Sequence, residues 1–141
     1  MNLSEYSDYF HDGSLIDFKQ LGTTIEISIL SAEIAPEYMK ANMPPLYHNR
    51  IQGKIYLNGV RKIQVNKKPF NGTLKKLYDS GSVLDFEVFN NKVILGIEWT
   101  NYPPKARKSD FTSIEIEAET IRWENIPELS DDYFKQGGGQ S

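Results

Sequence analysis

Two histidines, scattered carboxylates and no cysteine limit the chemistry open to this chain of 141 residues. His11 is followed directly by Asp12 in "YFHDGSLIDF". A histidine beside a carboxylate can be a general base with an orienting partner, or half of a metal site. The competing reading is local: Asp12 caps the turn into Gly13, and His11 packs or hydrogen-bonds there. Strand neighbours point to opposite faces, so the two side chains share a ligand only if the backbone turns between them. His48 stands in the loop "PPLYHNR" beside Tyr47, Asn49 and Arg50, and Glu33 closes the apolar run "TIEISIL". His11, Asp12, Glu33 and His48 are therefore the candidate catalytic set of a hydrolase or lyase, should the fold gather them. The tandem His-Asp site of helical phosphohydrolases needs further histidines on helices, and this chain lacks them. Absence of cysteine removes thiolate nucleophiles, disulfides and sulfur-ligated metal. No G-x-S-x-G, P-loop or dinucleotide fingerprint occurs, and "GTLKK" lacks the spaced glycines of a phosphate loop. No cofactor and no metal site is expected.

Binding chemistry is better represented than catalytic chemistry. Net charge is only −3, which disfavours a general polyanion binder, so nucleic acid is not the expected partner. Charge is nevertheless uneven. Arg61, Lys62, Lys67, Lys68, Lys75 and Lys76 lie in a stretch from Ile55 to Leu77 that holds no acid, with Phe70 and Tyr78 in or beside it. Tyr102, Lys105, Arg107 and Lys108 form a second basic, aromatic-bearing segment around Pro103–Pro104. The ordinary reading of such runs is solvated loop; the functional reading is a contact surface for an acidic protein. The residues assigned to it are Tyr47, His48, Arg50, Lys67, Lys68, Phe70, Tyr102, Lys105 and Arg107. Exposed Tyr38, Tyr56 and Trp123 would extend an interface of this kind.

The elements that must position these groups repeat. "DGSLIDF" at Asp12–Phe18 returns as "SGSVLDF" at Ser80–Phe86, an offset of 68 from Gly13 to Gly81. Between Gly13 and Ser31, five of nineteen positions match their counterparts. Ile16 and Phe18, then Ile25, Ile27 and Ile29, alternate as two strands. Leu84, Phe86 and Val88, then Val93, Leu95, Ile97 and Trp99, do the same around Asn90–Asn91, a pair suited to a two-residue turn. Upstream, Tyr6, Tyr9 and Phe10 align with Leu74, Leu77 and Tyr78 at helical spacing, behind N-cap candidates Ser4 and Thr73. Each half then reaches a proline pair and two further strands: "RIQGKIYL" and "VRKIQVN" about Asn58–Gly59, and "FTSIEIEA" and "ETIRWEN". A three-residue or bulged turn at Asn58–Gly59 is expected, to keep Ile55 and Ile63 inside.

The opening "YFHDGSLIDFKQLGTTIEISILSAEI" resembles a loose set of small bacterial β-rich proteins that begin with a helical turn, His-Asp and then Gly or Ser, and an isoleucine-rich hairpin. The likeness covers Tyr9 to Ile34. It implies a small β-rich fold, in some members an immunity-type role that neutralises a toxin, and no catalytic residues. The expectation is an all-β protein with two or three short helical turns. About eight antiparallel strands would form a pseudo-twofold duplicated sandwich or partly closed barrel. One domain would span 1–126, with similar halves at 1–66 and 67–126, followed by a tail over 127–141 whose last residues are flexible. The expected function is a non-enzymatic protein-interaction module; a small-ligand binder or the hydrolase or lyase above are the alternatives. No leader or membrane span is legible, which points to a cytoplasmic protein without a membrane partner.

Overall fold

Alternating apolar residues build the hairpins as their spacing predicts. A computed structural model describes residues 3, 7–38, 43–46, 48–75, 80–100 and 110–129. Among these are seven strands: β1 (Ser14–Leu21), β2 (Thr24–Leu30), β3 (Gln52–Val65), β4 (Lys68–Pro69), β5 (Ser80–Phe89), β6 (Lys92–Thr100) and β7 (Asp110–Asn125). In β2, Ile25, Ile27 and Ile29 are fully buried; in β6, Val93, Leu95, Ile97 and Trp99 are. Each such side chain is worth about 1.5–3 kcal/mol on burial. Gly22, at φ +59°, turns β1 into β2, and Asn90 and Asn91, at +49° and +60°, turn β5 into β6.

All pairings are antiparallel. β1-β2-β3-β7-β6-β5 close on themselves as a ring, because β2 pairs with β3 and β1 with β5, while β4 lies outside on β3. The hairpins attach to the first halves of the two long strands: β2 pairs with Gln52–Leu57 of β3, and β6 with Asp110–Glu117 of β7. The long strands then pair with each other from Gly53↔Asn125 to Val65↔Ile114. No helix among the described residues is long and apolar enough to cross a membrane.

Registers repeat along with letters. The ladder of β1 slips between Leu15 and Asp17, and that of β5 between Val83 and Asp85, again 68 positions on. The slip turns Leu15 as well as Ile16 inward, and it makes Val83 a core residue that simple alternation misses. β1 and β5 meet at Ser14↔Ser82, two residues related by the same offset. Gly13 enters this seam so closely that a Cβ there would stand 2.3 Å from the Leu30 carbonyl oxygen.

Three expectations need correction. Asn58–Gly59 is not a hairpin turn. Gly59 does adopt a positive φ, +66°, but inside β3, which continues through a register shift between Val60 and Lys62. "FTSIEIEA" and "ETIRWEN" likewise form one strand, β7, whose buried face changes from Ile114, Ile116 and Ala118 to Trp123. Two expected strand pairs thus become two long strands paired with each other, because an extended chain bent at one residue buries both of its apolar stretches without reversing. The expected helix at Tyr9 and Phe10 is a 3-10 turn, Ser7–Phe10, with Phe10 fully buried; a second such turn is Pro36–Tyr38. Leu74, the counterpart of Tyr6, is buried in irregular backbone. Ser4, Tyr6, Leu77, Tyr78, Pro103–Pro104 and the tail from 130 lie outside the described residues.

Candidate interaction surface

The residues at the far end of β3 fold into a tight basic hairpin. Asn66 and Lys67 take φ of +52° and +67°, the left-handed pair of a two-residue turn between Val65 and Lys68. The Asn66 N–H donates to the Ser113 carbonyl at 2.7 Å, and its Oδ1 accepts from the Ser113 N–H at 2.9 Å. Pro69 opposes Gln64 and has no N–H to donate. The Phe70 N–H then donates to the Ile63 carbonyl at 2.9 Å, holding the ring half-buried against the core. Further on, the Leu74 N–H donates to Gln20 Oε1 at 3.0 Å, tying this segment to the end of β1.

Between the β1–β2 turn, the bend of β3 and Pro69–Gly72 lies a cleft of about 280 Å³. Arg61 and Lys62 line it, with Ile63 and Phe70 as apolar walls. Both cations are exposed. The register slip allows this: unbroken alternation would turn one of two successive side chains inward. Among the described residues no acid lines the cleft. Glu117 faces Lys62 across the ladder, and Glu119 packs against Gly59, so acid bounds the cleft on its β7 side. Two lysines elsewhere are paired, Lys54 with Glu26 at 3.4 Å and Lys92 with Glu115 at 3.7 Å. Lys67 and Lys68 are exposed beside the cleft, and Leu21, 62% exposed, adjoins it.

Residues assigned to binding therefore divide. Lys67, Lys68 and Phe70 come together. His48, exposed at φ +53°, and half-buried Arg50 precede the opposite end of β3, roughly 40 Å of strand away at about 3.3 Å per residue. Tyr47, Tyr102, Lys105 and Arg107 lie outside the described residues. Of the aromatics whose exposure would extend an interface, Tyr38 is 67% exposed, whereas Trp123 is only 9% exposed and stacks obliquely on Phe10 at 5.4 Å. Tyr56 is half-buried on the outer face under the Arg122 guanidinium, and its hydrogen bond to Glu124 pushes its pKa up to about 12. Sequence reasoning passed over Gln20, Gly22 and Thr23, which only the β1–β2 turn's position beside Val60 brings to the cleft.

The candidate catalytic set is solvent-facing. His11 and Asp12 are exposed, as are Glu33 and His48. His11 Nε2 lies 3.6 Å from Asp85 Oδ1, both side chains more than half exposed. Asp12, at φ +65°, turns the chain and donates its N–H to the Val83 carbonyl at 2.7 Å. Glu33 and His48 flank a backbone hydrogen bond from Ile34 to Asn49. The described residues hold no group of three His, Asp or Glu side chains that could bind a metal. Comparisons with protein-family models, curated proteins and solved structures find no match.

Proposed function

We propose that this chain is a non-enzymatic protein-binding module, of the toxin-neutralising immunity type, acting in the cytoplasm on an acidic protein partner. The cleft at the β3–β4 hairpin carries this reading: two exposed cations over an apolar floor, with two more lysines beside it and, among the described residues, no acid in its walls. Rim charges of one sign accelerate encounter and select partners, while an apolar floor supplies area to bury. The hydrolase or lyase alternative draws no comparable support, since none of His11, Asp12, Glu33 and His48 lines this cleft and all four face water.

We further read the ring as a duplicated half: a 3-10 or irregular lead-in, a bulged hairpin and a long strand, repeated about a pseudo-twofold axis through Ser14–Ser82. Matching bulges and the symmetric Ser14↔Ser82 pairing support it. A partly closed barrel is the finer description this reading favours. Among the described residues only β3 carries such a hairpin, and a feature present in one copy is where a specific contact would be placed.

Capture from the native host's lysate on the immobilised full chain, followed by calorimetry with the purified partner, tests the function. A saturable complex with one acidic protein, weakening as salt rises, is the expected result. Retention of nucleic acid alone, or His11-dependent turnover of an ester or phosphoester, would overturn it.

A further inference from the structure

Resting on that reading, we infer that the cleft between the β1–β2 turn and the β3–β4 hairpin takes an acidic peptide segment of the partner, with carboxylates against Arg61, Lys62 and Lys67 and an apolar side chain on Phe70. Size argues for side chains rather than an enclosed ligand. A volume of about 280 Å³ with exposed walls falls below the roughly 300–1,000 Å³ of small-molecule pockets. Spacing argues for an extended segment. From Arg61 to Val65 the strand runs roughly 13 Å at about 3.3 Å per residue, and the Asn66–Lys67 turn adds a cation at its end, so the cations would meet carboxylates spread over about five residues. The carboxylates gain charge-assisted hydrogen bonds there, and an intervening apolar side chain reaches Phe70 and the exposed Leu21.

Strand addition is not the mode. Pro69 ends β4 without a donor, so the contact depends on side chains. Single-stranded nucleic acid fits less well. It wants several rings on which to stack, and among the described residues the cleft has Phe70 alone. A phosphodiester chain also carries a charge at every step, and here it would run onto Glu117 and Glu119 at the bend. The turn itself is informative. Asn66–Lys67 places a lysine where glycine is the favoured residue, so the cation at the tip is kept against the preference of the backbone.

The test titrates the isotope-labelled full chain, by NMR, with a short glutamate-rich peptide bearing leucines, the same peptide with serines for leucines, and an oligothymidylate of equal charge. Expected are shifts centred on Gln20, Gly22, Arg61 and Phe70, strongest affinity for the leucine peptide, and a loss of about tenfold or more in Arg61→Glu/Lys62→Glu. Phe70→Ala should erase the preference for leucine over serine. Lys75→Glu, outside the cleft, should change little, and each variant's dispersed spectrum verifies folding. Equal binding of oligothymidylate, shifts spread over remote lysines, or no shift at all would overturn the assignment. A captured partner that binds wild type and the charge-reversed variant alike would remove this cleft while leaving the interaction reading in place.

Discussion

The two tryptophans separate what a buried ring contributes from what its N–H contributes. Trp99 is fully buried, and its Nε1–H donates to Thr112 Oγ1 at 3.0 Å across β6 and β7. Trp123 is nearly as buried, yet its Nε1–H finds no acceptor among the described residues. Replacing Trp99 by Phe removes ring volume and a satisfied bond, leaving Thr112 short of a donor; replacing Trp123 removes volume and an unmet donor together. Trp99→Phe should therefore cost more than Trp123→Phe by about 1–3 kcal/mol, read from urea unfolding. Equal costs would mean that the Thr112 bond adds nothing. Tyr56 offers a test by pH. Its phenol donates to Glu124, which holds the proton on and raises the pKa from 10.0 to about 12. A raised folded pKa favours the protonated form, so the stabilisation is complete below pH 10 and lost as pH climbs from 10 through 12. Phenolate absorbance should titrate near 12 in the native chain and move back toward 10 in Glu124→Ala.

Along the elements, β3 shows what a single chain reveals and what it conceals. Hairpins β1–β2 and β5–β6 are legible because their turns and alternation are local. The long strands are not. Asn58–Gly59 has the letters of a turn and one of its dihedrals, but what keeps β3 running is the β7 backbone opposite, some sixty positions away, with Asn58 facing Thr120 and Val60 facing Ala118. The true turn, Asn66–Lys67, escapes notice because lysine is a poor sign of positive φ. The cleft shares this history: its lysines stand out as a run without acids, but its third wall, Gln20–Thr23, arrives only through pairing. Two substitutions test the account. Lys67→Gly relieves a left-handed residue and should stabilise by about 0.5–1 kcal/mol, since the relief of about 1–2 kcal/mol is partly offset by the extra entropy of unfolded glycine. Gly59→Val should destabilise by about 1–3 kcal/mol, because it combines a forbidden φ with a Cβ 2.8 Å from the Glu119 side chain. Thermal unfolding reads both. A neutral Gly59→Val would mean that the bend in β3 does not depend on this residue.

At the scale of the molecule, the two proposed halves meet along two unequal seams. β3 and β7 pair over almost their whole length, whereas β1 and β5 share only Ser14↔Ser82 and Leu15↔Gly81, reinforced by Val83 N–H to the Gly13 carbonyl at 2.9 Å. Duplication of a half does not make that half self-sufficient. β1, β2 and β3 alone form a three-stranded sheet whose inward residues, Ile25, Ile27, Ile55 and Leu57, are buried because β5, β6 and β7 complete the ring around them. Taken apart, each piece would present that apolar face to water and leave the long strand's ladder unpaired, and a fragment of this size has little other core to offset the entropy of ordering. Fragments 1–75 and 76–141, expressed separately, should thus show collapsed amide spectra and no cooperative unfolding transition. Mixed at high concentration they should regain the dispersed spectrum of the intact chain, with a midpoint that rises with concentration as for any bimolecular assembly. The long seam sets this behaviour, so weakening it in the intact chain with Ile55→Asp should abolish folding, while Ser14→Ala at the short seam should be tolerated within about 0.5 kcal/mol. A fragment that unfolds cooperatively by itself would show instead that the halves are independent units joined late, and the ring would then be an assembly of two domains and not one core.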